Sequence, residues 1–509
     1  MVIGGHLLDA VEVSSAGDDD VAELTSRACV MLERAAARAS SIGAPAEAQR
    51  LLESALARTN DPLEQARFSL AASQAAQSAG RYPAGAEHAV EATRLFDQLA
   101  LPIDAGMAAA EHGRSLQRLQ DNATAAEIAQ PRWDALQGDP AANGALLLLA
   151  WVLESAARAQ GDLEKMGYYA ERRVLLAEAL NDPESLAGVH SSMGIRYLTA
   201  GAPVTARVMF ESMAVLARKH DLIAMLARAL NNLSAIGMSR DLSAALQFAR
   251  EGMEVARRSG EAELIDMTAL NYLMALWTSG RLDEARSVLA AAFESVADPG
   301  NALCLESIQG WFADACGRPM PAGGGAQTTD NAAELAWLAN LDLVRARANG
   351  DLAGAARISE GALPHLLAGL GIEDDFMHLW PPMVQAAVDA GDAALAEKLL
   401  EPVDSAATGI LSPAVAAQLH RMRGLIGSAR GDEPITVEAE LRAEIAALDA
   451  YGAVPARARA EEELAYWLIA QQRRDEAEPL LAHARATYAE IGATAWLAAL
   501  DARTTIAVS

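Results

Sequence analysis

The 509-residue chain carries 41 basic and 68 acidic side chains, for a formal net charge of −27. A surface of that sign repels phosphate backbones and argues against a nucleic-acid partner. Hydrophobic residues make up 52% of the chain but aromatic ones only 5%. A core is feasible, and Ala and Leu must fill most of it.

No basic leader with an apolar stretch opens the chain. The cysteines (Cys29, Cys304 and Cys316) are few and odd in number. Both features fit a reducing cytoplasm without a disulfide framework. Asp18, Asp19 and Asp20 form a turn ahead of a helix beginning near Val21 or Ala22, where acidic groups favour the positive helix end.

From there a phrase recurs about every 40 residues. It reads Gly43 with Ala48, Leu52 and Ala55; Gly80 with Tyr82, Gly85, Ala89 and Ala92; and Gly201 with Ala206, Phe210 and Met213. It returns as Gly280 with Leu282, Ala285, Leu289 and Ala292; Gly350 with Leu352, Ala355 and Ala362; and Gly391 with Ala396, Leu400 and Val403. Degenerate copies begin at Gln120, Gly161, Arg240 and Gln472, and Gly431 begins the weakest.

Between these marks, apolar residues fall at helical spacing. Leu264, Ile265, Met267, Leu270, Leu273, Met274 and Trp277 predict a helix over 262–278 that Gly280 ends. The apolar run 145–153 is followed by Glu154 and Arg158, is too short to span a bilayer, and reads as a buried helix. No membrane association is expected. Sustained strand alternation is absent from the sequence.

A phrase of this kind predicts an all-α, right-handed superhelix of ten or eleven helical hairpins. Residues 317–331 carry Pro319, Pro321, Gly323, Gly324 and Gly325 and read as a loop or hinge. The expected organisation is therefore an N-terminal superhelix over 1–316, this hinge, and a C-terminal superhelix over 332–509, with one continuous solenoid as the alternative.

The copies at Gly43, Gly201 and Gly280 resemble the second half of a tetratricopeptide repeat, at a longer period than usual. The segment 28–56, and Tyr488, Ile491, Gly492, Ala493, Trp496 and Leu497, resemble the first and last repeats of one group of sensor regions. Those regions belong to LuxR-type and maltose-activator-like bacterial regulators and to ATPase-linked nucleotide cyclases. The resemblance implies a non-catalytic scaffold or regulatory sensor that binds a protein or peptide segment in its concave groove. A small-molecule effector site is the alternative, and an α/α-scaffold enzyme a more remote one. The chain has no phosphate loop of the G-x-x-x-x-G-K-[ST] type. It ends soon after the last repeat, so a stand-alone protein and a piece of a split regulator both remain open.

Asn231 and Asn271 lie one repeat apart on first helices of their pairs, where a carboxamide could donate to and accept from a bound peptide backbone. Arg228 would add charge to the same face, and His190 and Ser192 hold the matching part of the preceding pair. The competing reading is that the two Asn bridge neighbouring helices. Trp277, Trp311, Trp337 and Trp380 read as core, with Trp311 and Phe312 the best candidates for exposed aromatics. An apolar pocket near Trp277 or Trp311 with a few convergent polar groups would favour the effector reading. Glu373, Asp374, Asp375 and His378 form the one compact acidic-plus-His group, and read more simply as a helix start than as acid–base machinery. Arg421, Arg423, Arg430, Arg473 and Arg474 read as solvated faces. Catalytic residues, cofactor sites and metal sites are not expected.

Overall fold

The computed structural model describes residues 20–296, 298–318, 329, 331–372, 375–406 and 411–508. Among them are 24 α-helices and no strand. The architecture is all-α, built of tetratricopeptide-like helical hairpins.

The repeated phrase is a stop signal followed by a start signal. Gly161, Gly201, Gly350 and Gly391 each adopt a left-handed backbone, with φ of 72–73°, that costs a residue without Cβ little. Asp162, Asp351 and Asp392 then cap the next helix with their side chains. Their own amides turn back to the carbonyls of Ala157, Ala346 and Ala387, closing the preceding helix. Gln120 and Gln472 adopt the same backbone without glycine, at φ of 65° and 64°. The phrase's small residue sits where the two helices of a hairpin cross: Ala48, Ala125, Ala206, Ala245, Ala285, Ala355, Ala396 and Ala477 are all fully buried.

The chain divides into two compact units, Met1–Met209 and Phe210–Ser509. Unit 1 contains α1 (Asp20–Ser41), α2 (Pro45–Leu56), α3 (Pro62–Ser78), α4 (Tyr82–Gln98), α5 (Pro102–Arg118), α6 (Asn122–Leu136), α7 (Asn143–Ala159), α8 (Leu163–Leu180) and α9 (Pro183–Thr199). The boundary falls within α10 (Pro203–Lys219). In unit 1 each helix packs on its near neighbours, and the core is several separate clusters. The apolar run 145–153 lies in α7 and buries Leu146, Leu149 and Val152 in one of them. The stretch Pro140–Ala159 has the length and hydropathy to cross a bilayer, and 61% of its apolar window is buried. Glu154 and Arg173 form a buried ion pair between α7 and α8.

Unit 2 contains α11 (Ile223–Met238), α12 (Leu242–Ser259), α13 (Ala262–Thr278), α14 (Leu282–Ser295), α15 (Pro299–Cys316), α16 (Ala332–Ala348), α17 (Leu352–Leu370) and α18 (Phe376–Asp389). It continues through α19 (Ala393–Asp404), α20 (Pro413–Arg430), α21 (Pro434–Tyr451), α22 (Val454–Ala470), α23 (Arg474–Ile491) and α24 (Thr494–Val508). One apolar cluster runs through it from Met238 to Leu500. Its late helices return to its early ones. The Tyr451 hydroxyl donates to the Met238 carbonyl. The Ala414 amide donates to the Ser239 carbonyl at 3.1 Å, and the Trp496 indole donates to Asp314 at 2.9 Å. Unit 2 thus closes on itself. The division between units falls at residues 209 and 210, not at 317–331. Helices α15 and α16, which flank that segment, pack on each other inside unit 2, and most of the segment lies outside the described residues.

Candidate ligand cavity

Closure of unit 2 leaves a cavity of about 400 Å³ lined from α13, α15, α16, α18, α20, α21, α22 and α24. A larger cleft of about 730 Å³ lies along α19, α20 and α21. Charged groups of that cleft are already paired, Arg423 with Asp404 and Arg430 with Glu397 and Asp432.

One wall of the cavity is aromatic. The Trp277 ring lies 5.8 Å from Trp311, 4.9 Å from Phe312 and 6.2 Å from Trp496, centroid to centroid. His378 lies 5.3 Å from Trp311. The Trp311 indole is pinned by its N–H, which donates to Asn340 Oδ1 at 3.2 Å, and the same oxygen accepts from Ser307 at 2.8 Å. Trp311 is 9% exposed and Phe312 2%, so the aromatic pair expected on the surface is instead inside. Trp337 and Trp380 are core residues, and the Trp380 indole donates to the Leu399 carbonyl.

The opposite lining is charged. Arg421, read above as part of a solvated face, is largely withdrawn from solvent, its side chain 14% exposed, with two carboxyl groups and an amide gathered around it. Its Nε donates to Glu463 at 2.9 Å and its Nη2 donates to Gln385 at 2.7 Å, while Glu444 lies 3.8 Å away. Burial works against its charge, but Glu463 and Glu444 overcome this and push its pKa up. Burial likewise opposes ionisation of Glu463, yet Arg421, Arg459 and Arg347 hold its carboxyl below the usual carboxylate range. Arg347 pairs with Asp389 at 2.9 Å, and burial lowers its pKa. Arg459 stacks over Trp496 at 4.9 Å and has no hydrogen-bonded partner among the described residues.

Three polar groups on this lining have buried atoms without a hydrogen-bond partner among the described residues: Nε2 of His378, Oε1 of Gln418, and both carboxyl oxygens of Glu444. Burial, with the Glu463 charge, raises the Glu444 pKa well above the ordinary value. Burial lowers that of His378 to about 4. Buried polar atoms are rarely left unpaired, because each forfeits its bond to water. Several such atoms on one cavity, beside an unpaired guanidinium and an indole wall, form a surface suited to an amphipathic small molecule.

The residues expected from the sequence to bind a partner lie elsewhere. Asn231 is 6% exposed, and Asn271 donates to its Oδ1 at 2.8 Å and to its backbone carbonyl at 3.3 Å. The two carboxamides are engaged with each other across neighbouring hairpins, which is the helix-bridging arrangement. Arg228 lies 3.5 Å from Glu261 on the surface. His190 donates from Nδ1 to the Leu186 carbonyl at 2.8 Å, and Ser192 is half-buried on the same helix α9. His190 and Ser192 belong to unit 1, the other three to unit 2. Glu373 and Asp374 lie outside the described residues. Arg423, Arg430 and Arg473 lie on exposed faces in ion pairs. Among the described residues no group of His, Cys, Asp and Glu is arranged to hold a metal.

His378, Gln418 and Arg459 went unrecognised as a set, although they recur at intervals of 40 and 41 residues. They mark one register position on the first helices of successive hairpins, and that position faces the cavity.

No family model matches the chain, and no curated protein matches it. Among solved structures, it is similar to a signal transduction ATPase with numerous domains, bearing a tetratricopeptide repeat sensor, from Pyrococcus horikoshii. That match has 14% identity over 54% of this chain and 44% of the other, with a TM-score of 0.41. This chain thus spans less than half of that protein. It is also similar to the apo form of the quorum sensor NprR from B. thuringiensis, at 13% identity over 77% of this chain and 99% of the other, with a TM-score of 0.37. Both TM-scores lie below 0.5, and nothing about this chain's function follows from either.

Proposed function

We propose that this protein is a regulatory sensor whose second unit binds a small effector in this cavity. It works by recognition rather than catalysis, and its effect on a protein or peptide partner follows from occupancy. The observation that carries this reading is the convergence on one cavity of buried polar atoms of His378, Gln418 and Glu444 that lack hydrogen bonds, beside the Trp277–Trp311 wall. The cavity's lining comes from both early and late helices of unit 2, so a bound molecule would tie α13 and α15 to α22 and α24. Such a molecule stabilises the closed unit by its binding free energy, and the outer faces of those helices carry the change to a partner.

The test is a thermal-shift panel on the full chain with amino acids, nucleotides, sugars, sugar phosphates and fatty acids. It is repeated on Ala456→Trp, which fills the cavity. A compound that raises the melting temperature of the wild type and not of the filled variant supports the sensor reading. No shift in the wild type with any class, or equal shifts in both proteins, refutes it.

A further inference from the structure

The chemistry left unmet in this cavity specifies a ligand class. We infer that the cavity takes a zwitterionic amino acid or dipeptide with an apolar or aromatic side chain. Its carboxylate would meet Arg459, its ammonium Glu444 and Gln418, and its side chain the Trp277–Trp311 wall. This inference rests on the sensor reading given above.

Each part answers an observation. Arg459 is the guanidinium of the lining that stacks on an indole without a hydrogen-bonded partner among the described residues, whereas Arg347 and Arg421 are already held by Asp389 and Glu463. A planar carboxylate fits such a fork, whose N–H groups make no hydrogen bond among the described residues. On the acceptor side, both oxygens of Glu444 and Oε1 of Gln418 are buried without a hydrogen bond; Glu444 is 1% exposed and meets Arg421 only at 3.8 Å. An ammonium brings three donors and no acceptor, matching that deficit. It also gains from indole faces close by.

Charge balance points the same way. Around the cavity, the guanidiniums of Arg347, Arg421 and Arg459 face the carboxylates of Asp314, Asp389 and Glu463, while burial and the Glu463 charge hold Glu444 toward its neutral form until a cation approaches. A ligand carrying equal and opposite charges adds no net charge to this lining, whereas a phosphate ester would add up to two negative charges. A volume of about 400 Å³ lies at the small end of the usual range for ligand sites. A side chamber of about 60 Å³ shares Trp277, His378 and Gln418 with it, giving room for a second residue or an ordered water.

The experiment is isothermal titration of the full chain with L-phenylalanine, glycyl-L-phenylalanine, 3-phenylpropionate and phenethylamine. The last two lack the ammonium and the carboxylate respectively, so the ligand is varied without touching the fold. The zwitterions are expected to bind about ten- to a hundred-fold tighter than either truncated analogue, as for loss of a charged hydrogen-bond partner. Glu444→Gln should abolish discrimination against 3-phenylpropionate, and Arg459→Gln discrimination against phenethylamine, each in a variant whose melting curve stays cooperative. Binding of 3-phenylpropionate as tight as that of L-phenylalanine overturns the inference. So does failure of all zwitterions while another class in the thermal panel shifts wild type and not Ala456→Trp, although the sensor reading then stands. Silence from every class removes both.

Discussion

Units 1 and 2 are written in the same repeat phrase but use it to opposite ends. In unit 1 the hydrogen bonds between helices join close neighbours, as between Tyr169 and Gln130 or Arg132 and Asp97. Its core is a chain of small clusters around residues such as Phe68, Phe96 and Trp133. In unit 2 the last helices meet the first, through Tyr451 and Met238, Cys316 and Gly492, and Trp496 and Asp314. A stack that touches only its neighbours has no interior beyond its helix interfaces. Bringing the ends together forms one, and polar atoms of His378, Gln418 and Glu444 line it without hydrogen bonds. Local stability in unit 1 should therefore be graded along the chain, and in unit 2 shared.

The largest test of that contrast is a pair of aromatic deletions. Trp380→Ala and Phe96→Ala each empty a fully packed site and should cost about 3–5 kcal/mol. Hydrogen exchange should spread the loss from Trp380→Ala across α11 to α23, and confine the loss from Phe96→Ala to the neighbouring helices α3 to α5. Equal confinement in both would break the comparison. Next, Glu154→Leu leaves Arg173 buried without its counter-ion. It should cost about 3–5 kcal/mol by chemical denaturation, with exchange rising in α7 to α9 and ligand affinity in unit 2 unchanged.

A somewhat smaller effect comes from acid. Burial holds the His378 imidazole neutral down to about pH 4, whereas in the unfolded chain it protonates near 6.5. Between these values the unfolded state binds the additional proton. The stability of unit 2 is thus full above about pH 6.5 and falls as pH drops toward 4, by at most roughly 3 kcal/mol. Denaturation of His378→Gln across this range should lack that component of the slope. An identical slope in the variant would show that the imidazole is already solvated. The smallest effect is expected at Lys398 and Glu360, an exposed pair on unit 2. Breaking it with Lys398→Ala should change stability by less than about 1 kcal/mol, since neither side chain takes part in closure.

Much of the fold was legible because its signals are local. Gly391 followed by Asp392, with Ala396 at the crossing, states a stop, a start and a close approach within six residues. The spacing of Asn231 and Asn271 was legible too, but it admitted two meanings. A register of one repeat places two side chains against each other as readily as it lines them along a groove, and here the carboxamides meet. The cavity was harder to read. Trp277 and Trp496 lie more than two hundred residues apart, and their proximity depends on the accumulated turn of every hairpin between them. Arg421 illustrates the same limit. Its sequence neighbours look like those of any surface arginine, while Glu463, which pairs with it, comes from another hairpin. The signal in reach was the recurrence of His378, Gln418 and Arg459 at one register position, polar where helix packing alone would call for an apolar residue.

Closure also sets an order of events during synthesis. Unit 1 needs only adjacent hairpins, so each can settle as soon as the next leaves the ribosome. The cavity of unit 2 has no complete wall until Trp496 has been made, roughly 290 residues after the unit begins. At translation rates of about 5–20 residues per second, that leaves an interval on the order of 15 to 60 seconds. From the time each is made until the interval ends, Trp277 and Trp311 lie open to water and to other chains. The ring-like unit is therefore the part of this protein that would call on chaperones, and a ligand present during synthesis would meet its site only at the last step.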